Sequence, residues 1–155
     1  MRRLPKLGLG VSFLFVCIAV APAAEKPVQM KDLPPAVQKT VEAQSQGAKV
    51  RSLSKEIENG KTFYEAELEV NGHGKDVLID SAGTVVEVEE EVALTSLPPA
   101  AKAAIENFAS KGKILKLESV THGRTVFYEA KVEKAGKKTE FKVKPDGSLV
   151  PRPRK

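Results

Sequence analysis

The sequence predicts an α+β fold of two tandem repeats, each with one N-terminal helix packed on a four-stranded antiparallel β-meander. First, residues 33–86 align without a gap onto residues 97–150, and 15 of the 54 aligned pairs are identical. Second, each aligned segment begins with two prolines and a run of helix-forming residues. Third, the rest of each segment alternates apolar and polar residues between glycine-containing turns, which is the pattern of half-buried strands.

Each repeat is expected to begin with a short amphipathic helix. Proline is favoured in a first helical turn, because its missing N–H would have no partner inside the helix anyway. Apolar residues then recur every four positions, at Leu33, Val37 and Val41 in the first repeat and at Leu97, Ala101 and Ile105 in the second. This spacing places them on one face of each helix.

The tetrapeptide FYEA lies in a predicted strand of each repeat, at residues 63–66 and 127–130. A period of two places the tyrosine and the alanine of each copy on one side of the sheet, and the phenylalanine and the glutamate on the other. We expect the first side to be buried and the second to face water. Turn signals follow at Asn71-Gly72 and Ala135-Gly136, and one strand later at Ala82-Gly83 and Asp146-Gly147.

The first 24 residues have the order of a secretory signal peptide. Arg2, Arg3 and Lys6 give a positive start, an uncharged apolar stretch follows, and Ala21-Pro22-Ala23 supplies an A-x-A cleavage motif. The apolar stretch falls short of the about 20 residues that span a bilayer. We therefore expect cleavage after residue 23 or 24, a periplasmic or secreted protein, and no stable membrane anchor after cleavage.

Cysteine usage and charge argue against several classes of protein. The single cysteine, Cys17, leaves with the predicted signal peptide, so the mature chain would have no disulfide and no cysteine-bound metal. The formal charge of +5 becomes −1 over residues 25–150, which contain 19 basic and 20 acidic residues. An exported chain with a nearly neutral body is a poor candidate for binding nucleic acid.

The predicted organisation follows from these segments. A lone unit of about 60 residues buries only about 60% of its unfolded surface, so covering one unit with the other would enlarge the core. The predicted segments are a signal peptide at 1–24, a lead-in at 25–32, repeat 1 at 33–92, a joint at 93–96, repeat 2 at 97–150 and a basic tail at 151–155.

With these elements in order, the chain resembles PepSY-like domains. The resemblance lies in YEAELEVNGHGKDVLIDSAGTVV, residues 64–86, and in YEAKVEKAGKKTEFKVKPDGSLV, residues 128–150. The second copy departs from the pattern, since Lys144 stands where Asp80 does. A tandem arrangement also looks like the β-lactamase inhibitory protein. The resemblance implies an exported, noncatalytic binding module, and in this family such modules are thought to restrain peptidases.

The residues themselves offer little chemistry, and we expect no catalytic, cofactor or metal site. His73 and His122 lie 49 positions apart next to predicted glycine turns, where a polar ring meets water. No G-x-S-x-G motif occurs, and neither histidine has a serine at a convincing spacing. The acidic residues Glu87, Glu89 and Glu91 share one face of a strand, which favours a solvated or partner-facing edge over a calcium loop.

The two repeats differ in charge. Residues 33–96 contain 6 basic and 12 acidic side chains, whereas residues 97–155 contain 14 and 6, so their net charges are −6 and +8. Opposite charge could dock the units on each other, promote head-to-tail self-association, or form a bipolar surface with exposed aromatic anchors. The candidate partner-binding sheet face comprises Phe63, Glu65, Glu67, Glu69, Phe127, Glu129, Lys131, Glu133, Lys142 and Lys144.

Three hypotheses about function follow. The first is an exported protein-binding module, with an envelope or secreted peptidase or another hydrolase as its partner. The second is a binder or sensor of small ligands or cations in the envelope that uses residues 87–91. The third is a structural protein that associates with itself.

Overall fold

The computed structural model describes residues 25–151, and every structural statement below concerns that part of the chain. The predicted signal peptide, with Cys17 and its cleavage motif, lies outside the described residues. Most of the predicted basic tail also lies outside them.

One antiparallel sheet and two α-helices make up the fold. The helices are α1 (Pro35–Gln44) and α2 (Pro99–Ala109), and a short 3-10 helix precedes each of them, at Met30–Asp32 and Leu94–Ser96. The strands are β1 (Lys26–Pro27), β2 (Lys49–Glu58), β3 (Lys61–Val70), β4 (His73–Asp80), β5 (Val85–Glu91), β6 (Lys113–His122), β7 (Thr125–Lys134) and β8 (Lys137–Val143). They pair in sequence order from β1 to β8.

The helices form where the prolines and the four-residue spacing predict them. Pro35 and Pro99 are the first helical residues of α1 and α2, and neither helix has a side-chain cap at its N-terminus. The inward face of α1 buries Val37 and Val41, and that of α2 buries Ala101, Ile105 and Ala109. Each helix therefore packs its apolar face on the sheet.

The two halves of the sheet have the same register. Leu53 faces Ala66 between β2 and β3, and the equivalent Leu117 faces Ala130 between β6 and β7. Both pairs of strands also carry a register shift at the equivalent place, between Val50 and Ser52 in β2 and between Ile114 and Lys116 in β6. This layout agrees with two repeats of one unit.

The second repeat lacks the predicted fourth strand. In the first repeat, the pair Ile79 and Val85 begins the ladder between β4 and β5. The equivalent pair, Val143 and Leu149, forms only an isolated bridge. Pro151 then stands in the place of Glu87, and proline has no N–H with which to continue a ladder.

In the described part of the chain, neither repeat covers the core of the other. The core consists of two hydrophobic clusters, one beneath each helix. The first centres on Val37, Val41 and Ile79, and the second on Ile105 and Val143. The repeats instead join edge to edge, because β5 pairs with β6 over residues 87–91 and 118–122.

This joint also corrects the placement of the acidic run. Residues Glu87, Glu89 and Glu91 were expected on a sheet edge, but β5 lies between β4 and β6 in the middle of the sheet. The physical reason is that the open edge of β5 has unpaired backbone groups, and β6 satisfies them. The run therefore faces side chains from both repeats.

A glycine between β4 and β5 lets the sheet approach the first turn of α1. Gly83 has a φ of +85°, and a Cβ added there would lie 2.7 Å from the carbonyl oxygen of Ala36. Gly147 has the same relation to Ala100 of α2, again at 2.7 Å. Only glycine satisfies both the left-handed backbone and the close approach.

We expect Gly83→Ala to destabilise the protein by roughly 2–5 kcal/mol, because the left-handed conformation costs about 1–2 kcal/mol and the clash adds about 1–3. The matched control is Gly72→Ala. Gly72 also has a φ of +85°, but nothing lies within 4 Å of its added Cβ, so this change should cost only the conformational term. Urea denaturation measures both. If Gly83→Ala and Gly72→Ala lose the same stability, the close contact between Gly83 and α1 is contradicted.

Candidate functional site

Both helices pack on one face of the sheet and leave the other face open; we call the latter the helix-free face. Its side chains alternate with the buried core residues of the same strands, as Glu65 and Glu67 do with Tyr64, Ala66 and Leu68 in β3. Alternation also assigns the candidate residues to this face: Phe63, Glu65, Glu67 and Glu69 in β3, Phe127, Glu129, Lys131 and Glu133 in β7, Lys142 in β8, and Lys144 just beyond β8.

The two phenylalanines are less exposed than the sequence predicts. Phe63 and Phe127 are both half-buried. The ammonium of Lys142 lies 4.9 Å from the centroid of the Phe127 ring, in a cation–π contact. Both rings therefore keep part of their surface exposed on this face, and the Lys142 side chain lies against one of them.

Side chains in the middle of the helix-free face are buried from solvent although no helix covers them. Val120 of β6 has no exposed surface, and Glu118 is only 7% exposed. Val120 lies between Glu89 on one side and Phe127 on the other, whereas Glu118 lies between Glu91 and Glu129. These long cross-strand neighbours shield the centre of the face from water.

An acidic hollow of about 80 Å³ lies on the first-repeat side of this centre. We define it by the residues that line it: Glu65, Asp76, Leu78, Glu87 and Glu89. They come from the three adjacent strands β3, β4 and β5. Strand pairing places Leu78 directly between Glu65 and Glu87, and it places Asp76 beside Glu89.

Burial and mutual repulsion favour the protonated form of two of these carboxyls. Desolvation, followed by the charge of Asp76, raises the pKa of Glu65 to about 7. Desolvation, followed by the charge of Glu118, raises the pKa of Glu89 to about 7 as well. Each group is thus about half-charged near neutral pH.

Three carboxylates meet where the repeats join. Oxygens of Asp76, Glu89 and Glu118 lie within 4.8 Å of one another, so these residues could share a divalent cation. However, the Lys116 ammonium lies 2.5 Å from Glu118 and 3.9 Å from Asp76. A lysine therefore already supplies positive charge, and the proton on Glu89 would compete with a metal.

Sequence reasoning missed this carboxylate cluster. Glu87, Glu89 and Glu91 are spread along one strand, and the neighbouring strands β4 and β6 supply the other carboxylates of the cluster. The alternation of the run was a usable signal for its orientation. The pairing of β5 with β6 was the missing information.

The second repeat neutralises its own carboxylate. The Lys142 ammonium lies 2.6 Å from a carboxylate oxygen of Glu129. Burial alone would lower the pKa of Lys142, but the hydrogen bond and charge of Glu129, with the charges of Glu87 and Glu89, raise it instead. Glu140 lies nearby, and its hydrogen bond with Glu129 raises its own pKa.

The histidines lie at strand ends. His122 ends β6, and its Nδ1 is 3.2 Å from a carboxylate oxygen of Glu87, so this ring has a partner besides water. His73 begins β4 and is exposed. Among residues 25–151, none of the helices is long and apolar enough to cross a membrane.

Comparison with known proteins agrees with this architecture. A family model described as beta-lactamase-inhibitor-like, PepSY-like, matches residues 22–87 and 71–150. The chain belongs to this PepSY-like family. Among curated proteins, none matches the chain significantly.

Two solved structures have the same fold. One is a protein of Bacteroides eggerthii that is provisionally described as periplasmic; it is 18% identical, has a TM-score of 0.65, and aligns over 77% of this chain and 86% of its own. The other is a BLIP-like protein of Bacteroides fragilis, 20% identical with a TM-score of 0.58, aligned over 74% of this chain and 81% of its own. At these identities the likeness concerns the fold.

The raised pKa values predict how stability depends on pH. Glu65 and Glu89 have folded pKa values of about 7 against an ordinary value of 4.5, so the folded state binds more protons between these limits. The contribution of these two groups to the free energy of unfolding should therefore be fully present below about pH 4.5 and be lost as the pH rises to 7. Because both groups are partly exposed, we expect a loss on the order of 1 kcal/mol for each.

Thermal unfolding followed by circular dichroism between pH 4.5 and 7.5 checks this prediction. In the double variant Glu65→Gln plus Glu89→Gln, stability should depend much less on pH, since glutamine resembles the protonated acid. Glu42→Gln, on the exposed side of α1, is the matched control and should keep the pH dependence. A double variant with an unchanged pH profile would contradict the assignment.

Proposed function

We propose that the chain is an exported, noncatalytic protein that binds another protein through the helix-free face of its sheet. The partner we propose is a peptidase or another hydrolase of the cell envelope or the secreted fraction. The observation that carries this proposal is the helix-free face itself. It runs without interruption across the joint between the repeats and carries half-buried aromatic and acidic side chains.

The size of the face suits a protein partner. Eight strands at about 4.8 Å spacing and strands of up to ten residues give a surface roughly 30 Å wide and 30 Å long. That area is on the order of the 800 Å² that each partner buries in a standard protein interface. The hollow of about 80 Å³ is small beside typical small-molecule pockets, which measure about 300 Å³ or more.

The chemistry of the face also favours a macromolecular partner. Phe127 is a half-buried aromatic ring on this face, and aromatic side chains are enriched in protein interfaces. The family description, beta-lactamase-inhibitor-like, supports an enzyme as the class of partner. A predicted signal peptide supports a location outside the cytoplasm.

Affinity capture from the envelope and secreted fractions tests this proposal. We expect the wild-type chain to retain a specific hydrolase, and Phe63→Ala plus Phe127→Ala to weaken that capture at least tenfold, because both rings lie on the proposed contact surface. The activity of the captured enzyme is then measured with and without the chain. Circular dichroism verifies that the variant is folded, and Glu65→Lys serves as a second variant of the same face.

The matched control is Glu106→Lys on the outer side of α2, which makes the same charge change away from the sheet face. It should leave capture unchanged. If both face variants retain every specific partner, the proposed surface is wrong. If sedimentation shows only self-association that depends on salt, the head-to-tail alternative replaces the proposal.

A further inference from the structure

The two repeats provide an internal comparison of one site with and without a lysine. In the second repeat, Glu129 faces Lys142 across β7 and β8, and their side chains form a salt bridge of 2.6 Å. The same ammonium lies 4.9 Å from the centre of the Phe127 ring. A phenylalanine and a glutamate two residues apart, both from the FYEA motif, thus bind one ammonium together.

The first repeat contains the same phenylalanine and glutamate without the lysine. Glu65 faces Leu78 in the register in which Glu129 faces Lys142. Within residues 25–151, no lysine or arginine lies at salt-bridge distance from Glu65. The charged groups that act on Glu65 are carboxylates: Asp76, Glu25, Glu67 and Glu56.

We propose that the partner protein supplies the missing cation, so that a lysine side chain of the partner binds Glu65 of the acidic hollow beside Phe63, as Lys142 binds Glu129 beside Phe127. This inference rests on the proposed function and specifies the chemistry of its partner. The position of Lys142 shows that the glutamate and the phenylalanine of the FYEA motif bind the ammonium. The hollow beside Leu78 supplies the space.

Other features of the hollow fit a cation from outside the chain. Asp76, Glu87 and Glu89 line it together with Glu65, and a lysine ammonium would offset their mutual repulsion. An ammonium has three N–H donors and could contact more than one of these carboxylates.

Exchanging the residues at positions 78 and 142 tests the inference, and binding of a lysine peptide is the measurement. The probe is the peptide acetyl-Ala-Lys-Ala-amide at low ionic strength, because salt screens such contacts. Carboxyl ¹³C signals of the labelled mature chain report its binding. In the wild type we expect the signals of Glu65 and Glu89 to shift, and the signal of Glu129 to stay in place because Lys142 already occupies that site.

Leu78→Lys should reproduce the internal pair of the second repeat, weaken binding of the peptide at Glu65 at least fivefold, and move the pKa of Glu65 from about 7 toward 4.5. Lys142→Leu should open the second site, so that the peptide now shifts the Glu129 signal. Glu65→Gln keeps the shape and removes the charge, and it should also weaken binding at least fivefold. The peptide acetyl-Ala-Gln-Ala-amide is the control for the charge of the probe.

The inference is overturned if the glutamine peptide shifts Glu65 as much as the lysine peptide does. It is also overturned if Leu78→Lys, or Glu65→Gln should the first variant not fold, changes the affinity less than fivefold. If a captured partner binds the face equally well after Leu78→Lys, the lysine contact is contradicted and the proposed function is kept. If the lysine peptide binds at Glu65 but no protein is captured, the proposed function is contradicted and the lysine site at Glu65 is kept.

Discussion

The pairing of β5 with β6 holds the two repeats together and makes the helix-free face continuous. Five residue pairs, from Glu87 with His122 to Glu91 with Glu118, join the two repeats into one sheet. Without this ladder, each half would be a helix on a small sheet, with a core too limited for much stability. With it, two separate cores share one backbone framework, and the face without helices becomes continuous.

The same ladder accounts for the electrostatics of the face. It brings Glu118 of the second repeat to Asp76 and Glu89 of the first, and Lys116 crosses the joint to partly neutralise them. The opposite charges of the repeats therefore do meet, but as neighbouring strands rather than as docked faces. Away from Lys116, Glu65 is desolvated beside other carboxylates and has a raised pKa.

Duplication gives this fold a way to keep a scaffold while changing its chemistry. Core positions exchange like for like, as Ile79 with Val143, and the glycines that touch each helix stay the same. On the helix-free face, Leu78 and Lys142 occupy equivalent places and give the two glutamates opposite surroundings. The part of FYEA that packs beneath the helix is structural, whereas the phenylalanine and glutamate receive their roles from the strand beside them.

The two repeats, the start of each helix and the buried side of each strand could be predicted from the sequence, because proline, glycine and residue periodicity act over a few neighbouring positions. Three other features depend on contacts between distant segments: β5 is a central strand, Val120 is shielded from water without a helix above it, and Asp76, Glu89 and Glu118 meet. A period of two orients side chains but does not say which strand edge pairs with which. That choice depends on backbone hydrogen bonds between distant segments, and it also decided which candidate carboxylates lost their water.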